Sequence, residues 1–172
     1  MFEGSMYLFV FFWVPALKAS QKTVSDLPYG IIFASFMASM MASSLVFNFV
    51  MAKRLLGYTQ LLMGILLVSN ICFFALVGQR PEQLTFWLFC VFEACVGVYW
   101  PCMGYLKGRL VEDGVRAQVY GLMRIPLNVF VVVSLLLTGD GNGHAKVFSV
   151  CATLLLASSG AVWVTSLGQN AP

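Results

Sequence analysis

Three ionisable side chains stand inside long apolar stretches of this sequence: Glu3 in MFEGSMYLFVFFWVPAL, Glu93 in FCVFEACVGVYWPCMGYL and Arg124 in VYGLMRIPLNVFVVV. A charge at mid-bilayer depth costs at least about 2.5 to 3.5 kcal/mol on insertion scales, so such residues normally face a bundle interior or a polar path. Arg124 is followed by Pro126, which frees a backbone carbonyl, and by Asn128 one helical turn on. A planar guanidinium among further hydrogen-bonding groups matches an oxyanion. The same long stem could instead carry its head to the membrane surface. The two glutamates also admit two roles. They can form a buried salt bridge to Arg124 that only fixes helix packing, or they can act as protonatable carboxylates that couple substrate movement to protons.

Helix-breaking residues gather near these charges. Gly97 lies one turn after Glu93, Pro101 interrupts the ladder at WPCMG, and Gly104 follows. Helices broken by glycine or proline near mid-membrane are the best pointer in a sequence to a transporter site. Tyr7 sits one turn after Glu3 on the same face, and Tyr99 is close to Glu93. Their hydroxyls can serve a polar site, or their rings a plain aromatic core. GDGNGHAK lacks the strand, helix and Lys-Ser/Thr of a phosphate loop and reads as a connection, with His144 solvated and without metal partners. The five cysteines lie in apolar runs without zinc spacing. With no nucleophile and base pairing, cofactor motif or metal set, the expectation is a non-enzyme without cofactors.

The elements that must position these residues are membrane helices. Of 172 residues 60% are hydrophobic and 10% charged, against about a quarter charged in a globular domain. Each bilayer helix needs roughly 20 apolar residues, and the chain offers six runs: Met1–Leu17, Pro28–Met51, Gln60–Val77, Leu84–Leu106, Val119–Leu137 and Val147–Leu167. The fold expected is all-α, with six transmembrane helices in a single domain over 1–172, since open strands cannot satisfy their backbone in lipid. The basic residues are scattered over the breaks, which excludes a nucleic-acid binder. The first run lacks a basic n-region and carries Glu3, so it does not read as a cleaved signal.

Lys53, Arg54, Lys107, Arg109 and Arg116 fall in the second and fourth breaks, against Lys18, Lys22, Arg80 and Lys146 in the others. This bias puts both termini in the cytoplasm. In the second span Gly30, Ala34, Ala38 and Ala42 recur every fourth residue beside Ser35, Ser39 and Ser43, a pattern that lets helices approach closely. The last span carries no charge and ends near Trp163 and Thr165, as a lipid-facing helix with an interfacial anchor does.

The segments FEGSMYLFVFFWVPAL, YGIIFASFMA with SSL following, EACVGVYWPCMGYL and RIPLN resemble the C-terminal half of the molybdate-anion transporter family within the major facilitator superfamily. The quoted segments come from the first, second, fourth and fifth of the six spans, in order. The resemblance implies a six-helix half of a twelve-helix bundle and high-affinity uptake of molybdate across the plasma membrane. On that reading the first, fourth and fifth spans, which carry Glu3, Glu93 and Arg124, line or flank the central cavity. Arg124, with Asn128, Tyr7 or Tyr99, holds molybdate or a related tetrahedral oxyanion, and Glu3 or Glu93 couples its entry to protons. The loop AKRLLGYT departs from the superfamily, keeping only Lys53, Arg54 and Gly57. The chain is expected to be a truncated or half transporter whose partners are the bilayer and either a missing N-terminal half or a second copy. The alternative is a membrane interaction partner or inactive remnant that transports nothing.

Overall fold

The computed structural model describes residues 2–21, 27–78, 80–111, 114–136, 147–156 and 158–160. Residues 139–146, with His144, and the Trp163 and Thr165 pair lie outside them. The chain runs through α1 (Phe2–Ser20), α2 (Tyr29–Ala52), α3 (Tyr58–Leu76), α4 (Glu82–Leu110) and α5 (Arg116–Leu136), followed by the shorter apolar helix α6, Val147–Gly160. No strand occurs among the described residues.

Among the described residues four helices, α2, α3, α4 over Glu82–Arg109 and α5, are long and apolar enough to cross a membrane. Helix α1 is not among them: Glu3 and Lys18 stand near its ends and Pro15 inside it, which dilutes its apolar character. The sixth expected span continues past Gly160, beyond the described residues. The structure thus carries four of the six expected crossings on length and composition.

Helix α4 is the hub, packing on α2, α3 and α1, while α5 lies against α1. A β-carbon at Gly97 would strike the carbonyl oxygen of Met40 and Oγ of Ser43. Glycine therefore lets the α4 backbone lie directly on α2, the close approach that membrane helices use where lipid is as apolar as any side chain. Ser39 Oγ locks the contact by donating to the Cys90 carbonyl at 2.7 Å. It is thus the serine row of α2 that meets α4, and Gly30, Ala34, Ala38 and Ala42 are all exposed. At the other side of α1, a β-carbon on Gly4 would lie 2.9 Å from Phe130, so α5 is also drawn in by a glycine.

Aromatic rings fill the space between these contacts. Phe9 of α1 packs edge-on against Phe89 of α4 at 5.1 Å and Phe36 of α2 at 5.8 Å. Phe73 of α3 meets Phe92 at 4.8 Å and Phe148 of α6 at 5.7 Å. Each such pair contributes about 0.5 to 1.5 kcal/mol beyond area burial. Short polar ties close the ends: Gln60 accepts the Gly57 N–H at 3.1 Å to start α3, and Asn70 donates to the Ala152 carbonyl at 2.6 Å to hold α6.

If the Gly97 approach fixes α4 on α2, Gly97→Ala lowers stability by about 1 to 3 kcal/mol, the usual range for overpacking. Gly64→Ala, inside α3 where a β-carbon meets nothing within 4 Å, does not lower it. Thermal unfolding of the detergent-solubilised chain checks this, and equal midpoints for the two variants would contradict it.

Candidate functional site

Two adjoining cavities open between α1, α4 and α5. The first, of about 380 Å³, is lined by Glu3, Tyr7, Trp100, Lys107, Arg116, Tyr120 and Arg124 with neighbouring glycines and methionines. The second, of about 280 Å³, shares Glu3, Met103, Lys107 and Met123 and adds Tyr99, Pro126, Leu127 and Phe130. The residues common to both centre on one ion pair.

That pair joins Lys107 Nζ to Glu3 Oε1 at 2.8 Å, with the side chains 27% and 22% exposed. Tyr99 donates its hydroxyl to the same oxygen at 3.2 Å, while its ring packs on Phe2 at 4.3 Å. The ammonium of Lys107 also lies 5.5 Å from the centre of the Tyr120 ring, within cation–π range. Glu3 is in the first turn of α1 and Lys107 in the last turn of α4. Each charge therefore sits at the helix end whose dipole favours it. Both groups that donate to this carboxylate, the Lys107 ammonium and the Tyr99 hydroxyl, are carried by α4.

Arg124 is exposed and lines the larger cavity, and no hydrogen bond or ion pair engages it among the described residues. Arg116 plays a framing role: its Nη2 donates to the carbonyls of Gly108 at 3.1 Å and Val111 at 3.3 Å, tying the end of α4 to the start of α5.

The structure therefore brings Glu3, Tyr7, Tyr99, Arg124 and Pro126 to the two cavities. Asn128 is exposed and lines neither of them, and neither do Glu93 and Pro101. Glu93 is 7% exposed, and its register, three residues after Cys90 and four before Gly97, turns it toward α2. No hydrogen bond or ion pair to Glu93 is found among the described residues. The two prolines interrupt neither helix, since α4 and α5 run through Pro101 and Pro126.

A salt bridge to Arg124, one of the two roles open to the glutamates, is not found among the described residues; Glu3 pairs with Lys107 instead. Lys107, read from the sequence as part of a break, is inside α4 because that helix continues to Leu110. Tyr99, Met103 and Lys107 recur every fourth residue, and this period past Leu106 is the signal that could have placed the lysine on the cavity face. Trp100 and Tyr120 are likewise cavity residues that the sequence reading left out.

Among known proteins, a family model described as sugar transporters with 12 transmembrane segments matches residues 1–82. The molybdate-anion transporter of Takifugu rubripes is 32% identical over 99% of this chain and 38% of its own length. That of Danio rerio is 33% identical over the same shares, and that of Xenopus tropicalis 32% identical over 91% of this chain and 36% of its own length. The chain thus spans well under half of these curated relatives. No solved structure matches it. With its apolar helices, this kinship makes the chain an integral membrane protein.

Tyr99→Phe keeps the ring on Phe2 and deletes only the bond to Glu3, so it lowers stability by about 1 to 2 kcal/mol. Lys107→Met, which leaves the carboxylate without its cation, lowers it further. Thermal midpoints in detergent rank the two, and a neutral Lys107→Met would contradict the pairing.

Proposed function

Because the chain belongs to the molybdate-anion transporter family of the major facilitator superfamily, we propose that its α1/α4/α5 cavity holds molybdate or a related tetrahedral oxyanion during transport across the plasma membrane. The observation that carries the reading is the charge of that cavity: among the described residues, Lys107, Arg116 and Arg124 line it against one carboxylate, that of Glu3. A guanidinium offers paired donors to an oxyanion, and Arg124 is the one whose donors are not committed elsewhere among the described residues. Tyr7, 49% exposed and in the same cavity, adds a hydroxyl. Asn128, on the same helix, joins the anion if α5 rotates on α1. Glu3 and Glu93 are the proposed coupling carboxylates, Glu3 in the cavity and Glu93 on the α2 side of α4.

On this reading the chain is a six-helix half, with α1 and α6 completing the four apolar spans, and works against a second half or a second copy, since alternating access needs one repeat to rock on another. A second reading, a membrane interaction partner that transports nothing itself, draws support from the exposed Gly30, Ala34, Ala38 and Ala42 row of α2, a surface suited to another helix.

Labelled molybdate accumulation in cells expressing the chain separates the two. Transport predicts uptake above an empty-vector control and a drop of tenfold or more in Arg124→Gln, the loss of charged hydrogen bonds of about 1.5 to 3 kcal/mol, with the variant still in the membrane. Uptake at the control level for the unsubstituted chain, both alone and co-expressed with an N-terminal six-helix half, would favour the partner reading.

A further inference from the structure

We infer that Lys107 is a second anion-binding cation of the cavity and that Glu3 is its built-in competitor, so that a bound dianion and the Glu3 carboxylate take turns on one ammonium. The inference rests on the anion reading above and adds to it which residue must change partner when the anion arrives.

Lys107 lines both cavities, yet its ammonium is committed to Glu3 at 2.8 Å. An ammonium has three donors on a flexible stem, and here one is on the carboxylate while the head also lies over the Tyr120 ring. A dianion entering beside Arg124 meets this ammonium with twice the charge of a carboxylate, and at equal distance the Coulomb attraction doubles. Lys107 can swing from Glu3 to the anion without leaving the cavity.

The carboxylate is provided for when it lets go. Tyr99 donates to the same Oε1 at 3.2 Å from a ring held on Phe2, so Glu3 keeps a hydrogen bond after Lys107 departs. Arg124 faces Glu3 across the cavity from α5, along with Tyr120 and Arg116. Arg116 does not switch, because Nη2 is bonded to the Gly108 and Val111 carbonyls. Without an anion Glu3 thus balances the Lys107 ammonium, as a dianion does when present.

Isothermal titration of the purified full chain in detergent with molybdate, and with sulfate as a second dianion, tests the exchange. Glu3→Gln removes the competitor and tightens binding about tenfold, while Lys107→Met weakens it by a similar factor, in line with one charged hydrogen bond. The decisive variant is the double substitution: in the Lys107→Met background Glu3→Gln changes affinity little. Should Lys107→Met lose helix content by circular dichroism, Lys107→Arg replaces it, and retained sensitivity to Glu3→Gln in that background supports the exchange. If Glu3→Gln tightens binding equally with and without the lysine, Glu3 acts only through its field and the competition is overturned, with the anion site intact. If neither the wild-type chain nor Glu3→Gln binds either dianion, the anion reading fails and the competition with it.

Discussion

A carboxylate that stays ionised in an apolar bundle needs a cation beside it, because lipid supplies neither hydrogen bonds nor counter-ions. Glu3 meets that constraint through Lys107 at 2.8 Å, and much of the arrangement follows from it. The first turn of α1 is drawn to the last turn of α4, and Tyr99, two turns up α4, completes the carboxylate's shell. For α4 to present both groups it must itself be fixed, which the backbone contact at Gly97 and the Ser39 bond to Cys90 accomplish from the α2 side.

The bundle is correspondingly lopsided. Phenylalanines from α1, α2, α3, α4 and α6 interlock on one side of α4. On the other side α5 buries only Val131 and rests on α1 around Gly4. Polar groups collect where the packing is thin, in the cavities between α1, α4 and α5. A helix with so few packed side chains can shift at little cost in dispersion contacts. Tight packing and the charged cavity are thus complementary outcomes of one distribution of side chains along α4.

Much of this could be read from the residues. The apolar runs placed α2, α3 and α5 to within a few residues, and the charges in the first, fourth and fifth runs pointed to the helices that frame the cavity. The error over Lys107 has a simple cause: a charged residue at the end of an apolar run reads as the start of a break, whereas α4 continues to Leu110 and sets the lysine against Glu3. Likewise the row of Gly30, Ala34, Ala38 and Ala42 is a packing signal by spacing alone, but which row is used depends on the partner's profile. Here Gly97 supplied the gap and the serines filled it. Pairing across helices is long-range information, and local periodicity does not carry it.

The central claim is that the cavity between α1, α4 and α5 is where a tetrahedral dianion sits. Crystals of the chain soaked in tungstate, a heavy analogue of molybdate, would reveal the ion by its anomalous scattering. The account predicts a peak between the Lys107 ammonium and the Arg124 guanidinium, with Glu3 drawn back onto Tyr99. A peak only at surface lysines, with the Glu3–Lys107 pair undisturbed, would contradict it.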